Sequence, residues 1–258
     1  MITTEQVKEL RDKTSVSVMQ CRKALEEAGG DMEKALILLQ KKGSEIAEKK
    51  SDREAADGIV VIKQDDARAL VLTLNCETDF VAHNDDFITL AHKLLETAWA
   101  NGADAAREQA PALISDVVLK IGENIQLGLI EEITGGTIGT YTHHTGKNAC
   151  VVVLKGGDAE VAKNIAMHTA AMKPLYLSAD QVDDHARAQA LDIIQKEVGD
   201  SDKPEEIKAK MLEGKIASFF KEQTLLDQPF FKSPDQTIAQ YAKAHGAEVV
   251  SYKLFIIG

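Results

Sequence analysis

Gly58-Ile59-Val60-Val61-Ile62-Lys63, Gln64-Asp65-Asp66, then Ala67-Arg68-Ala69-Leu70-Val71-Leu72-Thr73-Leu74-Asn75: at this stretch the chain changes its period. Upstream, apolar residues recur at helical spacing. Here β-branched and apolar residues run together on either side of an Asp-Asp pair, which predicts two strands, 58–63 and 67–75, joined as a hairpin. A helix follows over about 85–100, with Phe87, Leu90, Ala91, Leu94, Leu95 and Ala98 on one face. A second helical stretch (110–121) leads into a strand (125–133). Gly135-Gly136 then turns the chain into strands at 137–142 and 149–154, a helix at 161–172, another at 237–245, and a last strand at 248–257. Hairpin–helix–helix–strand is therefore read twice, in 58–133 and in 137–257. The repeat is one of topology, without residue-level identity between the halves.

The second copy is interrupted. Residues 178–228 are helix-rich, with a break at Gly199-Asp200-Ser201-Asp202-Lys203-Pro204. Ser201 or Asp202 is expected to cap the second arm, with Pro204 at an early helical position. Leu191, Ile193, Ile194 and Val198 would pair with Ile207, Met211, Leu212 and Ile216 across a helical hairpin. Two readings stay open for it: a pair of packed surface helices, or a protruding arm used for association.

Before the strands, residues 1–42 read as three short helices. Thr3 or Thr4 can cap the first, which carries Val7 and Leu10. Ser17 can cap the second, with Met19, Ala24, Leu25 and Ala28 on its stripe. Gly29-Gly30 ends it, and Asp31 caps the third, with Ala35, Leu36 and Leu39. Residues 44–54 are charge-rich and read as a solvated helix or linker. The expected architecture is α+β. An N-terminal three-helix module and linker (1–54) precede a two-subdomain α/β core with topologically repeated halves, 55–135 and 136–177 with 229–258. The helical hairpin is inserted at 178–228.

Composition narrows function. Residues 1–54 hold 11 basic and 11 acidic side chains, so the net charge of −11 belongs entirely to the remaining 204 residues. An acidic body repels phosphate backbones, which argues against general nucleic-acid binding. No apolar run approaches 18 residues, and the amino end lacks the basic and apolar regions of a secretory signal. Three widely spaced cysteines (Cys21, Cys76, Cys150) suit reduced buried thiols better than a disulfide framework. These features point to the cytoplasm.

Motifs that carry chemistry are scarce. The stretch 135–148 has glycines and ends near Gly146-Lys147, but Tyr141 stands where a phosphate loop needs its first glycine and Asn148 where it needs a hydroxyl. Nucleotide binding is not expected there. His143, His144 and Cys150 could be imagined as metal ligands, yet consecutive histidines on a strand point to opposite faces, and exposed turn histidines are the plainer reading. Cys76 as a nucleophile would want an oriented base, and His83 has nothing to orient it. His168, before Pro174, reads as a packing or capping residue. Trp99 and the other aromatics are too scattered for a base-stacking platform.

One segment resists a bland reading. Asn75-Cys76-Glu77-Thr78-Asp79-Phe80-Val81-Ala82 lies directly after a strand and before a helix. Phe80 is either a core ring folded inward or a side chain displayed on a loop. The segment closely resembles the strand-end motif N-x-x-T-D-F-V-A of the translation elongation factor Ts family. Further likenesses follow in the family's order. Leu10-Arg11-x-x-Thr14, Met19-x-Cys21-x-Lys23-Ala24-Leu25, Gly30-Asp31 and Ala35 resemble its ubiquitin-associated-like helical module. Ala56-Asp57-Gly58, Lys120-Ile121-Gly122-Glu123-Asn124, Ile165-Ala166-Met167-His168-x-Ala170-Ala171-x-Lys173-Pro174 and Gln228-Pro229-Phe230 span most of the remainder.

The resemblance implies an exchange factor for elongation factor Tu that acts through protein contact, with no covalent chemistry, cofactor or metal of its own. The absence of a phosphate loop and of a long apolar run adds the expectation of no direct nucleotide binding and no membrane association. Thr78, Asp79, Phe80 and Val81 would intrude beside the partner's Mg²⁺ site, Phe80 as the apolar wedge and Asp79 as the charged group. His143 would press near the partner's phosphate loop. Arg11, Val18 and Met19 would dock the amino module on its nucleotide domain, and 178–228 would serve further association, including self-association. Two departures from the family pattern are visible. Ser15-Val16-Ser17-Val18 stands where the family is commonly glycine-rich, with Val18 replacing a common methionine. Many bacterial members also continue past the final strand into a short helical module, whereas Gly258 is the last residue here.

Overall fold

The computed structural model describes residues 2–199 and 204–258. Three helices open the chain: α1 (Thr4–Thr14), α2 (Val18–Glu27) and α3 (Met32–Lys50). Their starts are set by side chains that satisfy otherwise orphaned N–H groups. Thr3 forms a capping box with Gln6, while Ser17 accepts from the Gln20 N–H and Asp31 from the Lys34 N–H. Ser15 closes α1 at φ 55°, a left-handed conformation that costs an L-residue more than glycine.

The charged stretch 44–50 is not a linker. It continues α3, which crosses a later helix, Ala103–Ile121, so closely that a Cβ at Gly43 would lie 2.5 Å from the Ser115 carbonyl oxygen. The Ser44 and Ser115 hydroxyls are 3.2 Å apart, and Lys50 Nζ donates to the Gly122 carbonyl. Ile46 and Ala47 pack against the first sheet's core, so the helix ties the amino-terminal cluster to the rest of the molecule.

Next come β1 (Asp57–Gln64), β2 (Arg68–Cys76), the one-turn helix α4 (Asp79–Ala82), α5 (Asp85–Asn101), α6 (Ala103–Ile121) and β3 (Ile125–Thr134). The strands form an antiparallel sheet in the order β1-β2-β3, with Asp57 opposite Cys76 and Gln64 opposite Ala69. Asp65 makes the hairpin turn by accepting from the Ala67 and Arg68 N–H groups (2.8 and 2.9 Å). Helix α6 begins well before the expected residue 110 and runs through Pro111. A proline inside a helix forfeits the hydrogen bond to the carbonyl four residues earlier, a loss the rest of this 19-residue helix tolerates.

The second half repeats the order. It runs β4 (Thr137–Thr142), β5 (Asn148–Gly156), α7 (Ala159–Met172), α8 (Asp184–Gly199), α9 (Glu205–Gln223), β6 (Pro229–Phe230), β7 (Ser233–Thr237), α10 (Ile238–Ala244) and β8 (Ala247–Ile256). Its main sheet has the order β4-β5-β8, the same antiparallel arrangement as β1-β2-β3. The small β6–β7 hairpin, 229–237, was not expected from sequence. The caps expected at Ser201 and Asp202 lie outside the described residues. Pro204 is the N-cap of α9 rather than a residue of its first turn. Of the apolar residues expected to pair the two arms, Ile194 and Val198 are buried, whereas Ile193 and Ile207 are exposed.

Period-2 alternation builds the layers. Ile59, Val61, Leu70, Leu72 and Leu74 face α5 and α6, whereas Val60, Ala69 and Val71 face the other way. Cys150, Val152 and Leu154 face α7 and α10, while Ala149, Val151 and Val153 meet the backs of β1 and β2 together with Ile138, Phe255 and Ile257. The result is helices, sheet, sheet, helices. Helix α7 sits so near β4 that a Cβ at Gly139 would come within 2.2 Å of the Ala162 carbonyl carbon. Among the described residues, no helix is long and apolar enough to cross a membrane.

Candidate functional site

The site grows from the end of β2. Thr78 leaves the strand in an extended conformation and caps α4, its hydroxyl accepting from the Val81 N–H at 3.4 Å. The turn ends at once because Asn84 caps α5, accepting from the Asp86 N–H at 2.9 Å. Successive residues in a helix point about 100° apart, so one turn held between a strand and a helix must face both ways. Val81 and Ala82 face the first sheet's core, Val81 with 7% exposure. Phe80 is 85% exposed and Asp79 is also on the surface. The ring is therefore displayed, not folded inward. Val81, which the resemblance groups with Phe80 as a contact residue, holds the turn down instead; its side chain belongs to the core.

Polar bonds fix the root of this turn. One Glu123 carboxylate oxygen accepts from the Glu77 and Thr78 N–H groups (3.1 and 3.0 Å), and the other accepts from the Thr78 hydroxyl (2.7 Å). Glu77 answers by accepting from the Asn124 N–H at 2.7 Å, with Arg53 at 3.4 Å. The Asn124 bond, followed by the Arg53 charge, holds the Glu77 carboxyl below the usual carboxylate range. Asn124 itself donates to the Arg53 carbonyl at 2.6 Å, joining the end of α3 to the same knot. Sequence reasoning missed this role for Glu123. Its only signal was membership of the Lys120–Asn124 motif.

Cys76 lies beneath the turn, fully buried, with its thiol 3.1 Å from the Thr78 carbonyl. Burial, then the nearby Asp57 and Glu123 charges, pushes the thiol up to about 12, so it is no thiolate nucleophile at neutral pH. Burial likewise pushes Cys150 up to about 12.

The β4–β5 turn lies beside α4. Lys147 Nζ donates to Asp57 at 2.6 Å, and the Val60 N–H donates to the Gly146 carbonyl at 2.8 Å, which seats the turn on the start of β1. The Asp57 bond raises Lys147, which also feels the Asp79 charge. Burial pushes the Asp57 carboxyl upward, but its bonds from Lys147 and the Gly58 N–H outweigh that and leave it lowered. His143 and His144 belong to this turn and not to the strand, so they do not point to opposite faces. Their rings lie 4.2 Å apart, and His143 Nδ1 is 3.2 Å from the Tyr141 hydroxyl. Among the described residues, no group of three or more His, Cys, Asp and Glu side chains is placed to hold a metal. The turn that carries His143 and the strand end that leads to Phe80 both meet the start of β1, where Asp57 bonds Lys147 and lies opposite Cys76.

At the amino end, Arg11 and Val18 line one shallow groove of about 290 Å³ with Val7, Lys8 and Arg22. Met19, 78% exposed, faces an adjoining groove with Gln20 and Lys23. Ile37 on α3 is also exposed, a surface side chain the sequence did not single out.

His168 is a core residue of the second half. Its Nδ1 accepts from the Phe231 N–H (3.3 Å), so Nε2 carries the proton and donates to Gln228 Oε1 (2.9 Å). Burial lowers its affinity for a proton, and the Gln228 bond only partly offsets this. Protonation would set two donors, Nδ1–H and the Phe231 N–H, against each other. Since the unfolded chain binds the proton more readily, stability is full above about 6.5, the ordinary histidine value, and falls as pH drops below it. Melting curves between pH 7.5 and 5.5 should show this slope, and His168→Gln should flatten it. An unchanged slope in the variant would clear His168 of the effect.

A phenyl ring displayed on a turn anchored at both ends, in an α+β fold, defines a surface suited to contact with another macromolecule. Comparison with known proteins gives the family. A family model for elongation factor Ts matches residues 77–258. A relative named elongation factor Ts from Cellvibrio japonicus is 41% identical, covering 100% of this chain and 91% of its own. One from Alcanivorax borkumensis is 41% identical over 98% and 93%, and one from Lactiplantibacillus plantarum 41% over 100% and 92%. The chain belongs to the elongation factor Ts family, and this membership implies a nucleotide exchange role in translation elongation.

Proposed function

We propose that this protein binds elongation factor Tu·GDP in the cytoplasm and speeds GDP release by disturbing the partner's Mg²⁺ and phosphate site. The observation that carries the reading is Phe80, 85% exposed on a turn anchored at both ends. Leaving a phenyl ring in water forgoes roughly 1.5–3 kcal/mol of burial. That stabilisation is recovered only when the ring enters another surface. In the complex, Phe80 wedges between packed elements of the partner and Asp79 brings negative charge toward the ion. Loss of Mg²⁺ leaves the diphosphate charge uncompensated and weakens nucleotide binding. Factor and nucleotide are then negatively coupled, and the coupling is reciprocal. His143, on the turn seated at the start of β1, presses near the phosphate loop.

The remaining parts take supporting roles. The first three helices form a ubiquitin-associated-like docking module that uses Arg11, Val18 and Met19. Residues 55–135 and 136–177 with 229–258 form two core subdomains. The hairpin 178–228 is the association arm, including association with a second copy of this chain. The reaction involves no covalent chemistry, so release of GDP and of GTP both accelerate and their equilibrium is untouched.

Stopped-flow release of labelled GDP from elongation factor Tu tests the reading. Substoichiometric protein should accelerate release, and binding without acceleration would overturn it. Asp79→Asn separates charge from shape. If charge acts on the ion, the variant loses most activity when Mg²⁺ is abundant, because abundant ion opposes its own displacement. A Mg²⁺ titration running parallel to that of the parent protein would remove the electrostatic role.

A further inference from the structure

We propose that Glu123 is a positioning residue for nucleotide exchange, pinning α4 so that Phe80 meets the partner already in its working orientation; this rests on the exchange function proposed above. Glu123 reaches across from the turn between α6 and β3, more than 40 positions along the chain from the residues it holds. It does not touch Phe80. It acts through Thr78.

The Thr78 hydroxyl has two tasks. It donates to Glu123 at 2.7 Å and accepts from the Val81 N–H at 3.4 Å. A free hydroxyl rotates and can donate its proton elsewhere. With its hydrogen committed to a carboxylate, its lone pairs are left facing the first turn of α4. The same carboxylate also takes the Glu77 and Thr78 N–H groups, which otherwise would have no partner at the point where β2 ends. A carboxylate suits this because it only accepts, and its two oxygens can serve three donors at once.

The brace is closed from the other side. Glu77 accepts the Asn124 N–H, and Asn124 ties the Arg53 carbonyl. Residues 77–78 and 123–124 thus hold each other by crossed carboxylate-to-backbone bonds. A four-residue helix is far too short to be stable by itself. With Val81 and Ala82 packed below and this brace at its start, the turn has one arrangement, and Phe80 loses little conformational entropy when it binds.

The test uses the full-length chain with Glu123→Ala and Glu123→Gln. Three quantities are read: maximal GDP release rate from elongation factor Tu, the half-saturating concentration, and amide hydrogen exchange at Ala82, His83 and Asn84. Glu123→Ala should lower the maximal rate by about tenfold, the scale of one lost charge-assisted hydrogen bond. Half-saturation should change far less, and the three amides should exchange faster while those of β2 do not. Glu123→Gln keeps an oxygen for the two N–H groups but turns an amide N–H toward the Thr78 oxygen, which frees the hydroxyl hydrogen, so it should recover the rate only in part. If Glu123→Ala does not fold, Glu123→Asp, one methylene too short to reach the hydroxyl, replaces it with the same expected outcomes. A parent-like maximal rate, unchanged α4 amides, or a Gln variant as slow as the Ala variant would overturn the proposal; the last would mean that the bonds to the two N–H groups do not hold the turn. If the parent protein itself fails to accelerate release, the exchange function falls, while the amide measurement still decides whether Glu123 pins the turn.

Discussion

Phe80→Ala is expected to slow catalysed GDP release by about tenfold to a hundredfold, the kinetic equivalent of the ~1.5–3 kcal/mol that a phenyl ring gains on full burial. Stability should barely move. The ring is 85% exposed in the free protein, and truncating a surface side chain usually changes stability by about 0.5 kcal/mol or less. Phe87, seven positions on, supplies the contrast: it is fully buried in the first sheet's core, and Phe87→Ala should cost about 3–5 kcal/mol. The two variants should therefore be mirror images, one impaired in exchange and normal in melting, the other the reverse per folded molecule. The comparison also tests whether α4 holds its shape without the ring. Val81 and Ala82 carry the packing, so Phe80→Ala should leave amide exchange of the turn unchanged. A large melting shift for Phe80→Ala with a normal exchange rate would remove the wedge.

What could be read in advance, and what could not, follows the range of the interactions involved. The strands of both sheets were visible because runs of β-branched and apolar residues, as along β1, β2 and β5, are a local signal, and the helix starts were visible because Ser17 and Asp31 cap three residues away. Val81 was misplaced because motif membership treats neighbouring residues alike, whereas one helical turn sends Phe80 outward and Val81 inward. The expected strand 137–142 is the one observed as β4, and His143 and His144 lie in the turn beyond it, where alternation no longer applies. The role of Glu123 depends on contacts more than 40 residues away in sequence, for which no local pattern exists. The β6–β7 hairpin escaped for a similar reason: Pro229 and Pro234 weaken its strand signal, while its position depends on the bond from the Phe231 N–H to the distant His168.

Helix α3 gives the second large expectation, because its charged end conceals a structural task. Glu45, Glu48, Lys49 and Lys50 suggest solvent, yet Ile46 and Ala47 between them lie on the first sheet's core, and Gly43 lets α3 touch the backbone of α6 at Ser115. Leu119 of α6 is buried in the amino-terminal cluster, not in its own half's core. Removing residues 1–54 should therefore uncover one side of α6. The expected cost is roughly 3 kcal/mol or more, the scale of exposing two aliphatic side chains. In a chain of this size that corresponds to a fall in melting temperature of about 6–12 °C. Removing only residues 1–30 retains α3 and its Asp31 cap, and gives up the packing of Val7, Leu10, Cys21, Ala24 and Leu25 against one another and against Ala35 and Leu39 of α3. That shorter deletion should lower the main unfolding transition less than the longer one, because α3 still covers α6. It should also raise the half-saturating concentration in GDP release while preserving the maximal rate, since Arg11, Val18 and Met19 go but Phe80 stays. Equal melting temperatures for the two truncations would show that α3 does not support the core, and a reduced maximal rate in the shorter one would show that docking and wedging are not separable.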